Sequence, residues 1–231
     1  MGPGLTAVLN GPSGIAIAPD GSLYIADEHH HRVRMVSSTG VISTIAGTGI
    51  PAISADGLPA TKTALDALAG LMLDSSGALW IGEYFGNRAR KLAPGGFIQP
   101  VAGNGTAGFN GDFRLATTAQ LKAPDQTALD AAGNLYIADS GNHRIRKVTP
   151  QGMISTYAGT GSPGLSGDGG QAASATLNQP RGVAVDPAGN LFIADTNNNC
   201  IRKVTPGGLI TTVVGSAAFP LSFSPLGDGG V

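Results

Sequence analysis

The sequence predicts an all-β chain made of four copies of one four-stranded unit. Three observations lead there. The run "LYIAD" at 23–27 returns as "LWIGE" at 79–83, "LYIAD" at 135–139 and "LFIAD" at 191–195, a step of 56 residues each time. Glycines keep the same step, as Gly21, Gly77, Gly133 and Gly189 and again as Gly47, Gly103, Gly159 and Gly215. Between them lie short apolar runs rich in Val, Ile and Thr, punctuated by Gly, Pro and Asn, with no sustained helical period. Such runs favour strands joined by tight turns, and self-similarity at a fixed period marks a repeat architecture.

The fourth copy shows the elements in order. "GVAVD" (182–186) is a first apolar run, closed by the turn "PAGN"; "LFIAD" (191–195) is a second, closed by "TNNN". "CIRKV" (200–204) is a third, closed by "TPGG", and "LITTVVG" (209–215) is a fourth. In the first copy the strands are expected near 14–18, 23–27, 32–37 and 41–46. Four up-and-down strands repeated about an axis describe the blade of a β-propeller. Most runs are apolar at successive positions, which suits blades stacked face to face with both sheet faces covered. The first run is low in bulk (Gly14, Ala16, Ala18; Gly182, Ala184), as expected beside a crowded axis.

The blades accordingly span 12–47, 68–103, 124–159 and 180–215 of a single domain, with long linkers between them and 216–231 as a truncated linker. The linker segments 60–68, 116–121 and 172–177 are expected to form short helical turns. Residues 3–14, "PGLTAVLNGPSG", match 171–182, "QAASATLNQPRG", so each blade is built from contiguous strands. Two arrangements follow: a slice of a larger ring, which we favour, or a ring of four closed by blade packing alone.

Composition narrows the function classes. Gly (36) and Pro (15) are abundant while 42% of residues are hydrophobic, so the chain is turn-rich and still able to build a core. Charged residues are 13% and the net charge is -1, which disfavours nucleic acid and anionic membranes as partners. No apolar run is long enough to cross a bilayer, and the first residues show no secretory signal. Cys200 is the single cysteine, so no intrachain disulfide forms.

The segment "NLYIADSGNHRIRKVTPQGMISTYAG" (134–159), with "NLFIADTNNNCIRKVTPGGLITTVVG" (190–215), resembles the NHL repeat, and the resemblance covers all four copies. It implies a propeller, usually a six-bladed toroid, from which four copies depart. The linker "AGTGSPGLSGDGGQAASATLNQP" (158–180) resembles those of bacterial, often secreted, NHL proteins, which implies an extracellular or periplasmic place. The family includes protein-binding, RNA-binding and sensor propellers, and related propellers include lyases and lactonases, so the resemblance leaves function open.

Residue by residue, most chemistry-bearing positions read as structural. Ten of the fourteen Lys and Arg residues lie in the third run. Arg34, Arg90, Arg146 and Arg202 recur in all four copies and are expected to pair with the second-run carboxylates Asp27, Glu83, Asp139 and Asp195, since a guanidinium matches a carboxylate. The other arginine position (Arg32, Arg88, Arg144) becomes Cys200 in the fourth copy, where "NNNCIRK" offers no base for a nucleophile. Asp56, Asp112, Asp168 and Asp228 are expected to make Asx-type turns rather than bind calcium. Trp80 aligns with Tyr24, Tyr136 and Phe192, which makes it a core aromatic.

The stretch "DEHHHRVRM" (27–35) departs from the repeat. His31 aligns with Asn87, His143 and Asn199 as a turn residue, whereas His29 and His30 are peculiar to the first copy. The second copy departs at the same place, with Tyr84 and Phe85. Glu28, His29, His30, Tyr84 and Phe85 therefore form a candidate binding rim on one face of the disc, loops on a rigid scaffold being the usual place for one. Adjacent histidines on a short turn point apart, so no metal is expected, and no cofactor motif is present. The innermost strands carry no His, and only Asp74, Asp130 and Asp186 at their ends, which argues against a metal-assisted lyase or lactonase. The expected role is a non-catalytic scaffold for a protein, glycan or small ligand, with self-association where the ring is incomplete. The alternatives are that propeller enzyme and an RNA-binding domain.

Overall fold

A computed structural model describes residues 2–215; the 216–231 segment, with Asp228, lies outside the described residues. Blade 1 comprises β1 (Gly2–Pro3), β2 (Pro12–Ile17), β3 (Leu23–Asp27), β4 (Arg32–Val36) and β5 (Val41–Ala46). Blade 2 comprises β6 (Leu68–Leu73), β7 (Leu79–Glu83), β8 (Arg88–Leu92) and β9 (Ile98–Ala102). Blade 3 holds β10 (Arg114–Leu115), β11 (Pro124–Leu129), β12 (Leu135–Asp139), β13 (Arg144–Val148) and β14 (Met153–Ala158). Blade 4 holds β15 (Pro180–Val185), β16 (Leu191–Asp195), β17 (Cys200–Val204) and β18 (Ile210–Gly215). Each is an antiparallel meander, and the four innermost strands β2, β6, β11 and β15 lie side by side in chain order.

The linkers do more than connect. The linker entering a blade first lies along that blade's outermost strand. In blades 1 and 3 it forms a short fifth strand, with Gly2 opposite Ile42 and Arg114 opposite Ile154. In blades 2 and 4 it makes single bridges, Pro59 to Phe97 and Gln171 to Leu209. This covers an edge that would otherwise offer free backbone groups. One 3₁₀ turn follows in each linker, at Ala60–Lys62, Ala116–Thr118 and Ala172–Ser174, within the expected helical segments.

Two local features place the side chains discussed below. The turn after the second strand is a 3₁₀ turn in blades 1, 3 and 4, closed by His31, His143 and Asn199 at φ 51, 54 and 52°. Asn and His tolerate this left-handed conformation better than branched residues do. Each innermost strand also carries a bulge near its start, between Pro12 and Gly14, Leu68 and Leu71, Pro124 and Thr127, and Pro180 and Gly182. A bulge leaves a residue out of the ladder and re-aims its side chain.

The cores lie between blades. Ala26, Val33 and Ala46 meet Leu65, Leu68 and Ile81; Ala89 and Ala102 meet Leu121 and Ile137; Ala138, Ile145 and Ala158 meet Leu177 and Ile193. Leu65, Leu121 and Leu177 occupy equivalent linker positions and are fully buried, each contributing roughly 1.5–3 kcal/mol. The expectation of two covered faces thus fits the middle blades. On the outward faces of blades 1 and 4, Ile15, Ile17 and Val214 are exposed, whereas Val183 and Ala158, at positions equivalent to Ile15 and Val214, are buried.

Candidate functional site

Two sets of charged side chains occupy different parts of each blade. The first set is an outer belt of buried ion pairs. Arg146 reaches Asp139 on β12 (Nη1 to Oδ2, 3.5 Å) and Asp112 in the linker (Nη2 to Oδ1, 2.9 Å). Arg202 does the same with Asp195 (3.5 Å) and Asp168 (2.6 Å). Arg90 does so with Glu83 (3.4 Å) and Asp56 (2.9 Å). All three arginines and their second-strand carboxylates are fully buried. Arg34 has Asp27 alone, at 3.5 Å, and its side chain is 17% exposed.

The structure therefore corrects the reading of Asp56, Asp112 and Asp168 as Asx-turn residues. They are the second, partly exposed carboxylates paired with the buried arginines. Their linkers cross outside the third strand, where a buried guanidinium has donors to spare. The second-strand carboxylates also hold the linker backbone: Asp139 accepts from the Lys122 N–H (2.7 Å), Asp195 from Asn178 (2.7 Å) and Asp27 from Asn10 (2.8 Å). Burial pushes Asp139 up to about 6 and Glu83 up to about 7, in spite of the neighbouring arginines. The alternate arginines hold linker carbonyls: Arg144 donates to Thr160 O and stacks on Phe109 at 3.9 Å, and Arg88 donates to Ser54 O. Asp74, Asp130 and Asp186 cap the turns after the innermost strands, Asp74 also accepting from the Trp80 indole N–H at 2.8 Å. Trp80 itself packs against the core between blades 2 and 3.

The second set lies at the axis. Ser13, Ala69, Asp125 and Arg181 stand at the bulges of β2, β6, β11 and β15, one from each blade, and line one cavity of about 370 Å³. Glu28, Tyr84 and Phe85, from the turns after β3 and β7, complete its wall. Tyr84 and Phe85 meet edge to face at 5.2 Å, and Phe85 is 66% exposed. Burial pushes Asp125 up to about 6; Arg181 opposes the shift and Glu28 adds to it. Among the described residues, Asp125, Glu28 and Arg181 have neither a side-chain hydrogen bond nor a direct ion pair.

Of the five rim residues expected from sequence, the cavity brings together Glu28, Tyr84 and Phe85. His29 is exposed beside them, its ring over Gly11, and does not line the cavity. His30 is drawn into the blade, where its Nδ1–H donates to Asp27 at 2.9 Å; a carboxylate only accepts, which fixes the tautomer. His30 thus fills the place of Asn142 and Asn198, whose side chains donate to Asp139 and Asp195. Asp125 and Arg181 escaped the sequence reading. Their signal was present: position 13 of the repeat reads Ser, Ala, Asp, Arg in the four copies, whereas the preceding residue is Pro in three of them. Among the described residues no three His, Cys, Asp or Glu side chains gather as a metal-binding group.

The NHL repeat family matches residues 9–34 and 123–148, and the teneurin NHL domain family matches residues 160–228. Teneurin-4 of Homo sapiens is 31% identical over 210 residues, which are 81% of this chain and 7% of teneurin-4. The chain thus spans a small part of the curated relatives it matches. Among solved structures, a structural genomics protein of unknown function from Bacteroides thetaiotaomicron has a TM-score of 0.67 at 20% identity, covering 88% of this chain and 48% of that one. A catalytically inactive virginiamycin B lyase from Staphylococcus aureus has a TM-score of 0.53 at 19% identity, covering 91% of this chain and 72% of the lyase. These structural likenesses concern the fold alone.

Proposed function

We propose that this NHL-repeat propeller is a non-catalytic binding module whose axial mouth docks a protein partner. The observation that carries the reading is the Tyr84–Phe85 pair, with Phe85 largely exposed at the rim of a cavity on a rigid scaffold. Exposed aromatics on rigid elements are the usual anchors of protein interfaces, because they offer large contact area at small entropic cost. The basic residues of the third strands support this reading over RNA binding: Arg90, Arg146 and Arg202 are buried in ion pairs and are not free to meet phosphates. The lyase reading draws on a fold likeness at 19% identity, which carries no chemistry. An extracellular or periplasmic place is proposed with it, on the resemblance of the long linkers.

The test uses the purified chain as bait. A protein captured by the wild type is expected to be lost by the double variant Tyr84→Ala/Phe85→Ala and kept by His29→Ala. Retention of every captured protein by the double variant overturns the reading.

A further inference from the structure

The axial cavity differs from the belt in that, among the described residues, its carboxylates and its guanidinium make no ion pair. In the turns and the belt the carboxylates have partners: Asp20, Asp74, Asp130 and Asp186 in their own turns, Asp112, Asp139, Asp168 and Asp195 in guanidinium and backbone N–H groups, and Asp56 and Glu83 in the Arg90 ion pairs, although one buried oxygen of each of these two makes no hydrogen bond. Asp125 has no such partner. Arg181 and Glu28 act on it through the cavity rather than by contact. Taking a carboxylate from water without a hydrogen bond costs free energy, and such a group is stabilised by a ligand that supplies the missing donor.

Resting on the binding reading above, we infer that this cavity is the receptor for one cationic side chain, arginine or lysine, projected by the partner protein. Glu28 and Asp125 against Arg181 leave one negative charge in surplus. A guanidinium or ammonium group entering there gains a half-buried carboxylate that has no protein donor, and Tyr84 and Phe85 supply aromatic faces at the entrance. Its volume of about 370 Å³ is ample for a long side chain. An anion is disfavoured because it would meet two carboxylates to reach Arg181. The bulges of β11 and β15 aim Asp125 and Arg181 inward from two adjacent blades, so the receptor is rigid before the ligand arrives.

The probe is Nα-acetyl-arginine amide, with the citrulline analogue as its neutral counterpart of similar shape. Both are titrated into the isotope-labelled chain while the amide resonances of Tyr84, Phe85, Asp125 and Arg181 are followed. Saturable shifts are expected with the arginine compound, and affinity about fivefold or more weaker with citrulline. Asp125→Asn is expected to weaken the arginine compound by a similar factor, and Arg181→Gln to tighten it. Equal binding of the two compounds, no saturable shift, or indifference to Asp125→Asn overturns the inference. The underlying reading is tested separately: a captured partner lost by the Tyr84→Ala/Phe85→Ala variant yet indifferent to Asp125→Asn and Arg181→Gln leaves the docking mouth standing and removes the cation receptor.

Discussion

The outer belt and the axial mouth are built from the same residue types and behave in opposite ways. In the belt, Asp, Arg and Asp recur at the same repeat positions in blades 3 and 4, with Glu83 replacing one Asp in blade 2, and the charges are matched within 2.6–3.5 Å. At the mouth, the equivalent positions are Ser13, Ala69, Asp125 and Arg181, no two alike, and the charges are unmatched. Sameness between copies marks what every blade needs in order to fold. Difference between copies marks what one face needs in order to recognise something.

The largest effect expected from this contrast is in the belt. Arg146→Ala leaves Asp139 and Asp112 as unpaired carboxylates, one fully buried and one largely so, and should cost roughly 3–5 kcal/mol in urea unfolding. Arg144→Ala loses a stacking contact and a carbonyl bond and should cost about 1 kcal/mol. Equal losses would break the distinction between the two arginine positions. Arg34 has a single carboxylate partner and is partly exposed, so Arg34→Ala should cost less than Arg146→Ala, about 1–2 kcal/mol. A larger loss for Arg34 would show that the linker carboxylate adds nothing.

Glu83 gives a pH test of the belt. Its folded value of about 7 lies above the ordinary 4.5, so between these the folded chain holds a proton that the unfolded chain has released. Stability from this group therefore rises as pH falls through 7 and levels off below the unfolded value. Glu83→Gln should flatten the stability profile between about pH 8 and about pH 5 by on the order of 1 kcal/mol. Superimposable profiles for variant and wild type would exclude the burial of this charge as its cause.

The mouth carries the same sign at a lower pH. Asp125 is also raised, to about 6, so its ionisation opposes folding at neutral pH. Asp125→Asn should stabilise the chain by about 1 kcal/mol near pH 7, a figure already reduced for solvent screening. Destabilisation would place Asp125 with the belt rather than with the mouth. The smallest effect belongs to Phe85→Ala and Arg181→Gln, both exposed, each within about 0.5 kcal/mol of wild type in thermal unfolding. A large loss at either position would mean that the mouth is part of the fold.

The sequence determined by itself the number of units, the strand order within a blade and the short turns of the linkers, because a strand of five or six residues with glycine at its ends is specified locally. It also picked out Glu28, Tyr84 and Phe85, which break a pattern that neighbouring residues obey. Only the tertiary structure decided three other matters. It turned Asp56, Asp112 and Asp168 from turn residues into ion-pair partners, because their linkers pass over arginines some 34 residues further along the chain. It took His30 out of the rim, because the buried carboxylate of Asp27 lies within reach of its ring. And it brought Asp125 and Arg181 to the mouth, because a bulge decides where a side chain points, and convergence on an axis depends on how blades stack rather than on any residue's neighbours in sequence.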